Sequence, residues 1–115
     1  MLLLAWLSLV GAGACRFGAA QPGRISSPDP LERAKAIVRA GKSRDVSAIP
    51  LLVDRLEDEN EAVRFYAIQA LVRITGRDFG YRYYSPAAER RRAIRRWRDF
   101  VDRRGSGRDA AHASN

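Results

Sequence analysis

The sequence predicts an all-α fold made of short antiparallel helix pairs. Three observations carry that expectation. Apolar residues recur at three- and four-residue spacing in four separate stretches, capping residues stand at the ends of those stretches, and no strand-type alternation of useful length occurs.

The first stretch opens at Asp29, a residue type that accepts orphan amide protons at a helix start, followed by Pro30, whose missing N–H costs nothing there. Leu31, Ala34, Ile37 and Val38 form its stripe, and Gly41 is expected to close it as a left-handed cap, giving a helix over 30–40. Asp45 begins the second, whose stripe is Ile49, Leu52, Val53 and Leu56; Pro50 falls in its second turn, where it bends the helix or removes a hydrogen bond. Glu57-Asp58-Glu59-Asn60 reads as a turn, with Asn60 capping the third helix. The third stripe is Val63, Ala67, Ala70, Leu71 and Ile74, closed by Gly76. A short polar turn between two such helices implies a hairpin. Residues 77–85 form an aromatic loop with Phe79, Tyr81, Tyr83 and Tyr84. Pro86 then opens a last helix to about Arg104, with Ile94, Trp97 and Val101 as its stripe and Phe100 beside it. From 105 to 115 the composition is small and polar, and a disordered tail is expected. A faint repeat at an offset of 34 aligns Ala36, Ile37 and Arg39 with Ala70, Leu71 and Arg73, a period that helical solenoids show.

The N-terminus reads as an address. Leu2 to Ala14 is thirteen residues without a charge, too short to span a bilayer, which takes roughly 20. It fits a signal peptide over 1–14. Gly11, Ala12, Gly13 and Ala14 then lead to Cys15, the chain's one cysteine, so no disulfide framework can form within a monomer. Residues 15–27, rich in Gly, Ala, Ser and Pro, read as a linker, leaving 28–104 as the folded domain.

The net charge of +8 is concentrated late in the chain. Eight basic residues meet eight acidic ones between Pro28 and Gly76, whereas eleven arginines meet four acids between Arg77 and Arg108. Such a patch attracts phosphates, anionic lipid or an acidic protein. A global preference for arginine competes as an explanation, since Lys35 and Lys42 are the only lysines.

Catalytic chemistry is hard to assemble from these residues. His112 lies in the tail and Cys15 at the processing site, so a nucleophile–histidine pair in a pocket is not available; zinc-ligand spacing and a phosphate-loop string are absent. The acids Asp54, Glu57, Asp58, Glu59 and Glu61 lack the alternation and glycine of a calcium loop and read as a solvated turn. No catalytic residue, metal or cofactor is expected.

Three resemblances follow from these residues. Ala12-Gly13-Ala14-Cys15 resembles a bacterial lipobox, which implies lipidation of Cys15 and a membrane-tethered, exported protein. It departs from that pattern in having Ala12 where leucine is usual, and in lacking a basic leader. Ala12-x-Ala14 equally suits plain secretory cleavage, and a third reading makes the segment a misjudged start or a buried apolar helix. Ala48 to Gly76 resembles a HEAT repeat, including the variety grouped with phycobilisome-lyase-like repeats, through Ala48-Ile49-Pro50, Leu52, Leu56, Asp58, Val63-Arg64, Ala67 and Ala70-Leu71. The resemblance implies a short armadillo-type α-solenoid, with helix 30–40 as the second helix of a degraded preceding repeat. It also implies an inter-turn pair between Asp58 and Arg64, worth at most about 1 kcal/mol at a surface. The segment from Gly76 to Phe100 resembles a tail that follows HEAT repeats in bacterial envelope proteins, which implies that Phe79, Tyr81 and Trp97 pack together to cap the solenoid.

The functional expectation is a non-enzymatic scaffold that binds a protein partner, exported and tethered through Cys15, either in the cell envelope or as a periplasmic or secreted protein. Arg64 and Gln69 are candidate contributors to its concave face. Solenoids usually need three or more repeats, so a partner or self-association is expected to complete one face. The alternative is a cytosolic basic helical protein. In it Arg91, Arg95 and Arg98 on one side of the last helix, and Arg92, Arg96 and Arg103 on another, bind nucleic acid or an anionic surface, with Tyr81, Tyr83 and Tyr84 available for stacking. The plain structural reading of that helix is a solvated face whose arginine stems cover Trp97 and Phe100.

Overall fold

A computed structural model describes the backbone of residues 22–113 and the side chains of residues 23–108. The proposed leader, Cys15 and most of the expected linker lie outside the described residues. Five α-helices make up the described chain, with no strand among them: α1 (Pro22–Ile25), α2 (Pro30–Lys42), α3 (Ile49–Asp54), α4 (Glu61–Thr75) and α5 (Ala87–Ala113). The fold is an all-α, solenoid-like arrangement.

The linker expected over 15–27 does not survive at its C-terminal end. Ile25 is fully buried, and α1 packs against α2 and α3. Burying one isoleucine contributes roughly 2 kcal/mol toward seating this single turn, which runs on into Ser26, Ser27 and Pro28.

Helix α2 begins as expected. Asp29 is extended, its carboxylate accepts from the Leu31 amide at 2.9 Å, and Pro30 occupies the first turn. Its buried face is Arg33, Ala36, Ile37, Ala40 and Gly41, so the stripe is rotated from the expected one. Leu31 is 60% exposed, and Arg33 lies inside in its stead. Gly41 is not a cap: it sits within the helix, the C-cap is Ser43, and Arg44 takes the left-handed conformation at φ 51°. Glycine serves another purpose here. A Cβ on Gly41 would stand 3.0 Å from the Ala70 Cα and 3.1 Å from its Cβ, so the two helices touch backbone to backbone.

Asp45 caps a 3-10 turn over Val46–Ala48, its carboxylate accepting from the Ser47 amide at 3.0 Å. That turn places Pro50 in the first turn of α3, where its missing N–H is harmless, and removes the penalty expected of a second-turn proline. Ile49, Leu52, Val53 and Leu56 are all buried, as their spacing predicts. A second 3-10 turn, Arg55–Glu57, ends α3. Asn60 accepts from the Ala62 and Val63 amides at 3.0 and 3.2 Å and starts α4, which Gly76 closes at φ 73°.

Helices α3 and α4 form the antiparallel hairpin, while α2 and α4 run parallel. Arg33 meets Asp58 at one end of that pair, and Arg44 Nη1 donates to the Arg73 carbonyl at 2.5 Å at the other. The buried pairs Ala36–Ile37 and Ala70–Leu71 hold equivalent places, the structural counterpart of the 34-residue offset. The contacts of α1 and α5 with α3, and of α2 with α4, arrange the helices in two layers: α1, α3 and α5 in one, α2 and α4 in the other.

The aromatic loop and α5 close the end of the stack. Trp97 is fully buried, its Nε1 donates to the Asp78 carbonyl at 3.1 Å, and Phe79 meets it edge to face with centroids 4.7 Å apart. Tyr81 is buried in the same core. Helix α5 runs through Gly105 and Gly107 to Ala113, past the expected end at Arg104 and into the segment expected to be a disordered tail. Each interior glycine costs only about 1 kcal/mol relative to alanine, and neither proline nor a competing core interrupts the run.

Candidate functional site

Two surfaces are candidates, one on each layer. The first lies between the parallel helices α2 and α4. Val38, Gly41 and Lys42 from α2, with Tyr66, Gln69, Ala70 and Arg73 from α4, line a groove of about 220 Å³. Its floor is the close contact of Gly41 with Ala70, and a larger residue at 41 would fill it. Gln69 is exposed on this groove. Lys42, Tyr66 and Arg73 were not singled out from the sequence. The offset repeat that pairs Arg39 with Arg73 was the one signal that α2 and α4 share a face.

Arg64 does not join this surface. It is 8% exposed, and its guanidinium holds three carbonyls: Asp58 O at 2.8 Å and Glu59 O at 3.2 Å through Nη1, and Tyr83 O at 3.1 Å through Nε. It ties the α3–α4 turn to the aromatic loop. The expected Asp58–Arg64 pair is corrected accordingly, because Arg64 reaches the backbone of Asp58 and not its carboxylate. That carboxylate belongs to Arg33, whose Nη2 donates to Oδ1 at 3.0 Å. Arg33 Nε lies 2.9 Å from Oδ2, an ionic contact whose angle falls short of a hydrogen bond. Arg55 Nη1 adds a contact at 3.4 Å, and the Asn60 amide donates at 3.0 Å. Buried this way, the pair is a structural element and not a solvated surface bridge.

The three candidate tyrosines separate. Tyr81 is buried and donates its hydroxyl proton to the Leu56 carbonyl at 2.7 Å. Burial disfavours the phenolate and pushes its pKa up to about 12, against the opposing pull of Arg64 and Arg90. It offers no face to a ligand. Tyr83 is half-buried, edge-on to Phe65 at 5.0 Å and to Tyr84 at 5.1 Å. Tyr84 alone stands out, at 64% exposed. The sequence places all three within four residues, but only tertiary contacts decide which rings are spent.

The second surface is the outer side of α5. Ala93, Ile94 and Trp97 turn inward, leaving Arg91, Arg92, Arg95, Arg96 and Arg98 exposed. Arg92, Arg95, Arg96 and Arg98, with Asp99, surround an open depression of about 590 Å³. These arginines differ in what they already hold. Arg98 pairs with Asp54 at 3.1 Å and Glu57 at 3.3 Å on the neighbouring hairpin, and Arg96 Nη1 donates to the Phe79 carbonyl at 3.0 Å. Arg91, Arg92 and Arg95 make no such contact within the described residues. Arg95 and Arg98 from one expected side of the helix, and Arg92 and Arg96 from the other, border the same depression.

Among the described residues, no cluster of three or more His, Cys, Asp or Glu side chains could hold a metal ion, and no helix is long and apolar enough to cross a membrane.

A family model described as HEAT repeats matches residues 23–88, more than half of the chain. The chain belongs to the HEAT-repeat family. The HEAT match begins inside α1 and ends inside the first turn of α5, so it takes in most of the turn at Pro22–Ile25, from residue 23 on, that composition alone assigned to a linker. In HEAT terms α3 and α4 are the two helices of the better repeat, and α1 with α2 the preceding, shortened one. No curated protein and no solved structure matches the chain. HEAT repeats generally mediate protein–protein contact, and their proteins are typically non-enzymatic scaffolds.

Proposed function

We propose that this HEAT module is a non-enzymatic scaffold that docks a protein segment in the α2–α4 groove, and that it is exported and held at the bacterial cell envelope by a lipid on Cys15. The groove carries the docking half of the reading. Its floor is backbone in close contact, its rim offers Lys42, Gln69 and Arg73 as hydrogen-bond donors, and Tyr66 supplies an apolar wall with a polar tip. The lipobox-like Ala12-Gly13-Ala14-Cys15 after an uncharged run supports the export half. Burial of Ile25 leaves residues 16–21 between that cysteine and the folded body.

Each half has its own test. The full chain is expressed in a bacterium with a C-terminal tag, the cells are fractionated, and the intact mass is taken. A membrane-bound product that lacks Met1 to Ala14 and carries lipid on Cys15 is expected; a soluble product retaining the leader sinks the export reading. A photo-reactive residue placed at Gln69 is expected to give a discrete cross-linked protein that the same residue at Glu59, on the exposed turn, does not. Identical products from both positions would remove the groove from consideration.

A further inference from the structure

We propose that the outer face of α5 is a docking surface for anionic phospholipid headgroups, centred on Arg91, Arg92 and Arg95. It goes beyond the groove reading and does not depend on Cys15 being lipidated.

The argument starts from how the arginines of α5 are employed. Arg90 donates to the Ser85 carbonyl at 2.7 Å, Arg96 to Phe79, Arg98 bridges Asp54 and Glu57, and Arg104 lies over the Phe100 ring at 5.5 Å. Each of these is occupied by the fold. Arg91, Arg92 and Arg95 are exposed and make no contact of this kind among the described residues. Three arginines therefore stand exposed where no internal partner offsets their charge. An external anion does so.

The chemistry of the face selects the anion. Binding of single-stranded nucleic acid combines phosphate contacts with aromatic stacking. Here Tyr81 is buried and Tyr83 is packed against Phe65, so the stacking platform implied by the sequence is largely consumed inside the protein. The described side chains of α5 include no Asn or Gln, the residues that read adenine in a duplex groove. What remains is a cluster of guanidinium groups on one helix surface, without the Asn or Gln that reads adenine and with little aromatic surface left for stacking, complementary to a plane of phosphates. Such a face is also placed apart from the groove. It lies on the layer of α1, α3 and α5, whereas every groove residue comes from α2 or α4, so a lipid surface and a protein segment do not compete for a side chain.

The test is flotation of the full chain with vesicles of phosphatidylcholine alone and of phosphatidylcholine with phosphatidylglycerol. It compares the wild type with the triple variant Arg91→Gln, Arg92→Gln, Arg95→Gln and with Arg98→Gln. Each arginine near an anionic surface is worth about fivefold in partitioning, so the triple variant is expected to lose about a hundredfold on the anionic vesicles. Rising salt is expected to erase the difference as the charges are screened. Arg98→Gln is expected to lose far less, because its charge is already shared with two acids. Binding through the leader or a lipid on Cys15 would appear equally on neutral vesicles and survive the triple substitution, so failure of the export reading and failure of this one are distinguishable. An equal preference of wild type and triple variant for anionic over neutral vesicles overturns the proposal. So does displacement of the wild type from those vesicles by an equal phosphate concentration of single-stranded DNA, which would assign the face to nucleic acid.

Discussion

Arg33 and Asp58, twenty-five residues apart, form a buried ion pair that joins the start of α2 to the turn entering α4. Their side chains are 9% and 3% exposed. Removing one member of such a pair strands the other charge in a poorly solvated site, typically at a cost of about 3–5 kcal/mol. Asp58→Ala is expected to cost that much in a urea melt, because it strands Arg33 and also releases Arg55 and the Asn60 amide. Arg33→Met is expected to cost less, since Arg55 and the Asn60 amide still face the carboxylate. The reverse ranking would mean that Arg55, and not Arg33, is the principal partner.

Two glycines in helices are expected to respond with opposite signs. Gly41→Ala gains helix propensity, worth about 1 kcal/mol, but pushes a methyl group to 3.0 Å from the Ala70 backbone, which cannot rotate away. Overpacking of this kind costs about 1–3 kcal/mol, so a net loss of stability is expected. Gly105→Ala meets nothing within 4 Å and lies inside α5, so it is expected to raise helicity by circular dichroism and leave or raise the melting temperature. A stabilised Gly41→Ala variant would show that α2 and α4 stand further apart than described.

Tyr81 gives the fold a pH dependence at the alkaline end. Its folded pKa is pushed to about 12, above the ordinary value of 10.0, so the native state holds this proton more tightly than the unfolded chain. The stability it contributes is complete below pH 10 and falls as pH rises from about 10 through about 12. Tyr81→Phe is expected to remove this component, so stability should fall less steeply across that window than in the wild type. At neutral pH the same variant leaves the Leu56 carbonyl unpaired and is expected to cost about 1–2 kcal/mol. Parallel stability–pH curves for the two proteins would contradict the assignment.

Trp97 is the peg by which α5 and the aromatic loop hold the solenoid end. Trp97→Ala removes a fully buried indole, its bond to Asp78 and its edge contacts with Phe79 and Phe100. A loss of about 3–5 kcal/mol is expected in a thermal or urea melt. A loss below 1 kcal/mol would mean that α5 is not part of the cooperative unit.

Much of the architecture is legible in the sequence because it rests on local chemistry. Asp29, Asn60 and Gly76 act where their types are useful, and the stripe from Ile49 to Leu56 needs only helical periodicity to be found. What was misread depends on contacts between distant residues. Apolarity alone favours Leu31 over Arg33, since nothing near Arg33 reveals that Asp58 will neutralise it. Gly41 has the look of a cap until Ala70 is seen against it. Ile25 is a single apolar residue in a polar run, too little for a periodic signal, yet it finds a core. The candidate site suffers most from this. Arg64 and Tyr81 have the chemistry of binding residues, and both are consumed internally by carbonyl groups whose positions only the folded chain defines.

The contact of Gly41 with Ala70 also bears on how the groove can recognise anything. Its base is main chain held by two parallel helices, so its depth and width are set during folding and leave little to adjust afterwards. The entropic cost of shaping the cleft is met before any visitor arrives, and only the rim side chains Lys42, Gln69 and Arg73 have freedom left to lose. A receptor built this way discriminates by steric fit at its floor and adapts only at its edges. On the docking reading proposed for this groove, a bulky side chain at the centre of an incoming segment is expected to be tolerated less than variation at that segment's periphery.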